Sequence, residues 1–361
     1  MSKLAANLPF VLRAQAKQCA RMGSILYTGL LERTVAEIEA GMGGICIHLL
    51  REFSDDPPQT ALGLRFLGAV NRLVLEGKAP DLAPCYSGDN LDMDETWSRF
   101  TQVLQSHEGE LAELIHRPVR TNEVARSAAL LPGFLEVARQ TGLPLRLLEA
   151  GAGAGLNLLW DRYFYAASNQ AWGDPHSPVV FRGAYRHNHP SLRGTAPVVE
   201  RSGCDEQPLY AASAEDRLTL LSFVWPDNPA RVQRMHAALD LAQRIPVTID
   251  NARAEEWVAN QLKEPALQRA TTVFHTMFLD RLAAQARSRF QFVMEEAGKL
   301  ATKDAPLAWL RMEPGGVEAE VRLRMWPGGK DQLIALSGFH GEWVDVPDAA
   351  GGGRSTPVRL S

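Results

Sequence analysis

Residues 145–157 read LRLLEAGAGAGLN, an apolar run that ends in a glutamate and continues into alternating glycines and alanines. The apolar run predicts a buried β-strand, Leu145–Glu149, and the residues from Leu156 to Tyr165 predict a helix after the glycines. Glycine accepts positive φ angles and lets a ligand approach the backbone closely. The stretch therefore predicts a strand, a turn and a helix, with either a bound ligand or only a tight connection at the turn.

Strand and helix patterns continue to alternate along the chain: short β-type runs are followed by longer helical patterns up to residue 347. This alternation predicts an α/β domain over residues 141–347 with a doubly wound, mostly parallel sheet of seven strands. The last two strands are joined by a Pro-Gly-Gly turn at 327–329, which is typical of an antiparallel hairpin. The predicted strands are Leu145–Glu149, Val198–Arg201, Pro246–Asp250, Thr271–Thr276, Leu307–Met312, Ala319–Trp326 and Gln332–Ser337.

Residues 1–140 differ from this pattern, since their apolar residues recur at helical spacing. They predict a helical N-terminal domain, with helices near Gln59–Glu76 and Asp94–His116 among its members. The last residues, 348–361, are rich in glycine and show no periodicity, so they predict a flexible tail.

The composition excludes several classes of partner. The 361 residues carry 38 basic and 42 acidic side chains, and a formal charge of −4 gives no general attraction to nucleic acid or to a lipid surface. No apolar run reaches the roughly 18 residues of a membrane span. The four cysteines lie far apart without a CxxC pair, which argues for reduced thiols rather than a metal site. We expect a cytoplasmic protein with no metal, nucleic acid or membrane partner; its oligomeric state is left open.

The spacing of the glycines distinguishes two kinds of ligand. Gly151, Gly153 and Gly155 follow the pattern GxGxG, whereas a dinucleotide fingerprint needs a third Gly or Ala at the position of Leu156. An NAD-dependent oxidoreductase is therefore the weaker hypothesis. Together with Glu149, the pattern resembles motif I of class I S-adenosylmethionine (SAM)-dependent methyltransferases. The resemblance implies that Glu149 and the three glycines hold the methionine part of SAM.

A second acidic residue follows the next predicted strand. The sequence Gly203-Cys-Asp205-Glu-Gln-Pro208 is similar to the methyltransferase string Gly-apolar-Asp-x-x-Pro. The resemblance implies that Asp205 binds the ribose hydroxyls, from which a carboxylate can accept two hydrogen bonds. It also implies that Asp250 or Asn251, after the third strand, lies beside the adenine.

An insertion separates these two motifs. About 50 residues lie between the glycine loop and Asp205, against about 20 in a minimal unit, so an insertion is predicted at about 157–197. Its aromatic residues Trp160 and Tyr163 either line a substrate pocket or only pack the insertion. A His-x-His pair in the insertion has no evident third ligand, so no metal is predicted there.

Candidate substrate-side groups follow later strands, where an open parallel sheet binds its ligands. His275 ends the fourth strand and Glu313 follows the fifth, so each is a candidate to accept a proton from a substrate. For His275, a hydrogen-bonded structural role is an equal alternative. Arg120, Asn122 and Glu123 precede the first strand and form either a substrate-binding patch or a solvated helix face.

Seven motifs give the chain a resemblance to a bacterial family of uncharacterised proteins of about this length. They are Arg120-Thr-Asn-Glu123, Glu149 to Gly155, Gly203-Cys-Asp205, Val224-Trp-Pro-Asp227, Leu310-Arg-Met-Glu-Pro314, Trp326-Pro-Gly-Gly329 and Gly338-Phe-His-Gly-Glu-Trp343. This family implies no activity, whereas the methyltransferase resemblance implies the strand order 3-2-1-4-5-7-6. A link of only about six residues, 313–318, joins the fifth and sixth strands where the usual core has a helix, which indicates a rearrangement at that edge.

The first functional hypothesis is a SAM-dependent methyltransferase that acts on a small-molecule substrate, with catalysis mainly by positioning. The alternative is a catalytically silent ligand-binding or regulatory protein that keeps the fold without the chemistry. The absence of a strong methyl-acceptor motif favours that alternative.

Overall fold

The computed structural model describes residues 7–41, 44–86 and 92–347. The predicted flexible tail, 348–361, lies outside these residues. Within them, no helix is both long and apolar enough to cross a bilayer. The α-helices of the described residues are α1 (Leu8–Arg21), α2 (Ile25–Glu39), α3 (Gly44–Leu50), α4 (Leu62–Leu75), α5 (Met93–Ser106), α6 (Glu108–Ile115), α7 (Arg126–Thr141), α8 (Ala214–Ser222), α9 (Pro229–Arg244), α10 (Ala254–Gln261) and α11 (Ala284–Leu300).

The strands form two sheets. The larger has eight strands in the order β11-β10-β9-β8-β7-β1-β5-β6, and the smaller has three in the order β3-β2-β4. The chain thus combines a helical N-terminal region with a large, mostly parallel sheet. The strands are β1 (Leu145–Ala150), β2 (Phe164–Ala167), β3 (Gln170–Gly173), β4 (Val180–Arg182), β5 (Val198–Asp205), β6 (Thr248–Asn251), β7 (Ala270–Thr276), β8 (Leu307–Pro314), β9 (Ala319–Trp326), β10 (Lys330–Ser337) and β11 (Val344–Asp345).

Pairing in the large sheet changes direction at β8. The strands β6, β5, β1, β7 and β8 pair in parallel, whereas β8, β9, β10 and β11 pair antiparallel. All seven predicted strands are present; β9 has its predicted bounds, and the others differ from theirs by a few residues at one or both ends. The carboxyl ends of the five parallel strands therefore lie at one edge of the sheet.

Two predictions about this sheet are wrong. It has eight strands rather than seven, because β11 pairs with the end of β10, and a two-residue strand is too short to give a period. The predicted strands, numbered along the chain, stand in the order 3-2-1-4-5-6-7 rather than the order 3-2-1-4-5-7-6 that the methyltransferase resemblance implies. The difference lies at the edge where the short link 313–318 indicates a rearrangement, so that expectation is confirmed. In the short link after β8, the Gly315 N–H donates to the Glu318 carbonyl at 2.8 Å. This tight turn pairs β9 directly with β8, so β10 cannot lie between them.

The segment after the glycine loop also differs from its prediction. In place of a helix from Leu156 to Tyr165, Leu156–Arg162 form a 3-10 helix and β2 begins at Phe164. Residues 156–160 are all buried, so this apolar run packs on every side instead of forming one face of an α-helix. The predicted insertion continues as the small sheet, in which β2 pairs antiparallel with β3 and parallel with β4.

The chain divides into two compact units, Met1–Thr121 with Leu209–Leu239, and Asn122–Pro208 with Asp240–Ser361. These limits differ from the predicted boundary near residue 140. Helix α7 belongs to the unit with the sheet, and the segment between β5 and β6 contributes α8 and most of α9 to the helical unit.

Specific side chains hold the segment 209–239 in the helical unit. The Asp227 carboxylate accepts a hydrogen bond from the Ser24 hydroxyl at 2.8 Å, just before α2. Asn71 on α4 donates through Nδ2 to two carbonyls at the end of α8, at 3.0 and 3.2 Å. Trp225 is buried in the core of this unit, with its ring 6.1 Å from that of Tyr27. The segment is therefore part of the helical core.

In the second unit, helices cover both faces of the large sheet. Val273 of β7 is buried in a cluster with Trp257 of α10 and Phe290 of α11. On the other face, Phe134 of α7 packs edge-on against Phe274 of β7, with 5.1 Å between ring centroids. Because successive residues of a strand point to opposite faces, neighbouring residues of β7 serve two separate cores.

Candidate functional site

The residues predicted to bind SAM lie at the carboxyl ends of adjacent parallel strands. The register places Glu149 of β1 beside Gly203 of β5, and Asp205 of β5 beside Asn251 of β6. On the other side of β1, His275 stands near the end of β7. Ligands of open α/β sheets bind at this edge, so the fold brings these predicted residues to a position suited to binding.

The loop after β1 depends on its glycines. Their φ angles are 69° at Gly151, 60° at Gly153 and 70° at Gly155, values that residues with a side chain rarely adopt. A Cβ atom at Gly155 would also lie 2.6 Å from Val247 Cγ2. Glycine at positions 151 and 155 therefore allows both the positive φ angles of the turn and the close packing of neighbouring side chains.

Two residues predicted to bind substrate form hydrogen bonds with the backbone in and near this loop. Asn122 is buried, and its Oδ1 accepts hydrogen bonds from the N–H groups of Ala154 and Leu156 at 3.2 and 3.0 Å. Glu123 is buried as well, and its Oε1 accepts from the Ala125 N–H at the start of α7, at 3.3 Å. Contact between either side chain and a substrate stays a prediction.

Asp205 connects the end of β5 to the glycine loop through a hydrogen bond. Its Oδ2 accepts a hydrogen bond from the Gly153 N–H at 3.0 Å, and its Oδ1 accepts from the Gln207 N–H at 2.9 Å. The carboxylate thus lies against the loop.

Glu149 is a buried carboxyl group with an unsatisfied oxygen. Its residue is 2% exposed, and its Oε2 has no hydrogen-bond partner among the described residues. Burial raises the pKa of Glu149 well above its usual value, and the charge of Asp205 raises it further, against the opposing effect of Arg126. Buried polar atoms without partners are rare in folded proteins. Glu149 is therefore the group at this edge that points most directly to a ligand.

Phe278 lies against the first glycine of the loop. A Cβ atom at Gly151 would be 2.5 Å from Phe278 Cδ2, so a side chain at position 151 would displace the Phe278 ring. The preceding residue, Met277, has a φ of 50°, and the 3-10 turn Leu279–Arg281 follows. The backbone after β7 thus turns sharply and places an aromatic ring beside Gly151.

His275 is held by two side chains. Its ring is fully buried, and its Nε2 accepts a hydrogen bond from Trp309 Nε1 at 2.9 Å. An indole N–H only donates, so Nε2 carries no proton, and Nδ1 donates its proton to Glu313 Oε1 at 2.7 Å. Both ring nitrogens are engaged. In this arrangement His275 orients Glu313, and direct contact of His275 with a substrate stays a prediction.

Glu313 receives several hydrogen bonds on one oxygen. Besides His275, the N–H groups of Phe278 and Leu279 donate to Oε1 at 2.9 and 3.3 Å. Burial raises the pKa of Glu313, but these bonds outweigh burial and hold the pKa below its usual value. The second oxygen, Oε2, is buried without a partner among the described residues. Glu313 is thus an ionised carboxylate that fixes the turn after β7.

The other strand ends carry weaker candidates. Asp250 Oδ2 accepts a hydrogen bond from Trp257 Nε1 at 2.6 Å, and Asn251 is exposed. Arg120 belongs to the first unit, in a stretch without helix or strand. Among the described residues, no group of three or more histidine, cysteine, aspartate or glutamate side chains is placed to hold a metal ion.

The two aromatic candidates of the insertion are buried. Trp160 stacks on Phe134, with ring centroids 4.4 Å apart, and on Trp172, at 5.1 Å. The Tyr163 hydroxyl donates to the Leu156 carbonyl at 2.5 Å. These contacts agree with the packing alternative, and a role of either residue in lining a substrate pocket stays a prediction.

Three residues of this edge were not predicted from the sequence. Arg126, the first residue of α7, donates to Thr276 Oγ1 at 3.3 Å and to a backbone carbonyl at 3.0 Å. In the sequence it follows the predicted patch of Arg120, Asn122 and Glu123 by three residues, and no motif gives it a role. Phe278 and Trp309 lie in apolar surroundings in the sequence, where no pattern distinguishes a site aromatic from a core aromatic.

Comparison with known proteins agrees with the family resemblance that the seven motifs indicate. No curated protein and no solved structure matches the chain. A family described as "Uncharacterized protein conserved in bacteria (DUF2332)" matches residues 11–346, a range that includes both sheets and every candidate site residue. The chain belongs to this DUF2332 family of uncharacterised bacterial proteins.

Proposed function

We propose that the chain is a SAM-dependent methyltransferase that acts on a small-molecule substrate. The observation that carries this proposal is the buried Glu149 carboxyl group at the end of β1, whose Oε2 has no partner among the described residues. A carboxylate there would accept hydrogen bonds from the ammonium group of the methionine part. Of the loop glycines, Gly153 would leave room for that part beside the backbone, since a Cβ atom there would lie 3.4 Å from its nearest neighbour, Asn122 Cγ.

The neighbouring strand ends support the same kind of ligand. Asp205 would accept the ribose hydroxyls, and Asp250 or Asn251 would lie beside the adenine. These carboxylates favour a cationic ligand over one with phosphates. The 3-10 helix after the loop also differs from the long α-helix whose N-terminus binds a pyrophosphate in dinucleotide folds. NAD is therefore the weaker ligand hypothesis.

A bound SAM would supply an activated methyl group, and the residues of the chain would position the acceptor. Glu313 is the candidate proton acceptor, because one of its oxygens is held by His275 and by backbone N–H groups while the other has no partner among the described residues. His275 is a positioning residue for Glu313. Phe278, beside Gly151, would exclude water from the methionine side of the site.

A catalytically silent SAM-binding protein is the second candidate. The full burial of His275 and the engagement of both its ring nitrogens favour it, because this imidazole is not accessible to an acceptor. Tight SAM binding without methyl transfer to any of a broad panel of acceptors would identify this case.

Calorimetric titration with SAM, S-adenosylhomocysteine (SAH) and NADH tests the proposal. We expect SAM and SAH to bind, and Asp205→Ala to weaken both by at least about tenfold, or ~1.4 kcal/mol. The control is Asp304→Asn, an exposed carboxylate before β8 at the opposite edge of the sheet, which should bind as the wild type does. Ligand-induced thermal stabilisation provides a second readout. Folded protein that binds neither SAM nor SAH would refute the proposal, and a preference for NADH would restore the oxidoreductase hypothesis.

A further inference from the structure

Glu149 is closed off from water. The residue is 2% exposed, and Phe278 packs on Gly151, two positions along the chain. Its Oε2 has no hydrogen-bond partner among the described residues. A charged carboxylate in such a place lacks the hydrogen bonds that stabilise the charge, whereas a protonated carboxyl group needs fewer of them.

The strands beside β1 do not stabilise a negative charge on Glu149. On β5, Asp205 adds a second negative charge, and Cys204 is a thiol whose pKa burial raises to about 12. On β7, the residue in register with Glu149 is the apolar Phe274. The neighbouring strands therefore favour the neutral carboxyl group.

Two polar side chains from the segments packed on that face of the sheet, Arg126 and Tyr163, interact electrostatically with Glu149. Arg126 of α7 favours the charged form of Glu149, but burial and Asp205 have the larger effects. Tyr163, which follows the 3-10 helix, donates its hydroxyl proton to a backbone carbonyl and cannot donate it to Glu149. Together, these groups favour the protonated form of Glu149 as long as no ligand supplies hydrogen-bond donors.

We propose that Glu149 carries a proton in the ligand-free protein and releases it to solvent when the ammonium group of a SAM-type ligand binds, so that binding tightens as the pH rises. This inference rests on the proposed function, which supplies the cationic ligand. Binding breaks the carboxylic O–H bond, passes the proton to the buffer and places the ligand N–H groups on the carboxylate. One proton leaves for each ligand bound. Affinity rises by up to about tenfold per pH unit while the ligand-free carboxyl group is protonated.

Titration calorimetry with SAH in two buffers of different ionisation enthalpy counts this proton. We expect the wild type to release close to one proton per ligand. Its affinity for SAH should increase as the pH is raised from about 6 to about 8. Glu149→Gln keeps a neutral side chain of nearly the same shape, so it should fold, release no proton and bind with an affinity independent of pH. Glu264→Gln, at an exposed glutamate, is the matched control and should behave as the wild type does.

Infrared difference spectroscopy between the ligand-free wild type and Glu149→Gln gives a readout that needs no ligand. We expect a protonated-carboxyl band in the wild type that disappears when SAH binds. If the band is absent, or if SAH binds without releasing a proton, the coupling is overturned while SAM binding stands. If the band is present but neither SAM nor SAH binds, the proposed function fails and the coupling fails with it.

Discussion

Glu149 links the stability of the ligand-free protein to pH. Burial, and then the charge of Asp205, raise its pKa well above the usual value of 4.5. Above that value the unfolded chain has lost this proton while the folded chain still binds it, so the free energy of unfolding falls as the pH rises. We predict that Glu149→Gln removes this fall. Relative to the wild type, the variant should gain up to about 1.4 kcal/mol for each pH unit.

Urea denaturation of the two proteins from about pH 5 to about pH 8 measures this effect. The informative quantity is the difference between their free energies of unfolding, because the other titrating groups cancel in it. The exposed control Glu264→Gln should give a difference near zero at every pH. A Glu149→Gln difference that also stays constant with pH would contradict the prediction.

At the residue scale, the sequence predicted which residue types stand at the strand ends but not their protonation states. The choice between a base and a structural role for His275 depends on its contact with Trp309, which is 34 residues away in the chain. The high pKa of Glu149 depends in the same way on burial and on Asp205, not on the motif around it. Such properties arise from packing between elements, which no local pattern encodes.

At the element scale, the glycine loop depends on Asn122. Removing its side chain by Asn122→Ala would leave the buried N–H groups of Ala154 and Leu156 without an acceptor. We predict a loss of about 1–3 kcal/mol in the free energy of unfolding, measured by chemical denaturation. Asn260→Ala, at an exposed position in α10, should change the same quantity by less than about 0.5 kcal/mol. A loss no larger than that of the control would mean that the glycines alone define the loop.

The strands were predictable because each is an apolar run between turn residues. For β9 the predicted and observed bounds are both Ala319–Trp326. The 3-10 helix Leu156–Arg162 was mistaken for an α-helix, because periodicity cannot distinguish the geometry of a segment buried on every side. The strand β11 was missed because two residues show no alternation. Local patterns therefore predicted the long elements and failed where tertiary contacts alone determine the conformation.

At the scale of the whole chain, the helical unit is discontinuous in sequence. Its second part, Leu209–Leu239, lies between two strands of the sheet in the other unit. An amphipathic segment in that place is also expected to cover its own sheet, so the sequence alone could not assign it to the helices. The decisive contacts are distant in the chain, since 203 residues separate Asp227 from Ser24.

This discontinuity predicts how fragments of the chain will fold. The fragment 1–140 lacks Trp225, which is part of the helical core, and it leaves the Asn71 amide without its two acceptors. We predict that this fragment does not unfold cooperatively. Residues 1–121 joined to 209–239 by a long flexible linker contain the complete unit and should show a single thermal transition by circular dichroism.

Asp227→Ala in the joined fragment separates this explanation from a general effect of chain length. The substitution leaves the chain length unchanged and removes the acceptor for the Ser24 hydroxyl and for the Leu26 N–H. It should therefore lower the free energy of unfolding by about 1–3 kcal/mol. If the fragment 1–140 unfolded cooperatively with the same free energy as the joined fragment, the segment 209–239 would be an addition to the helical core and not a part of it. The helices before residue 122 would then be an independent folding unit, as the boundary predicted near residue 140 implies.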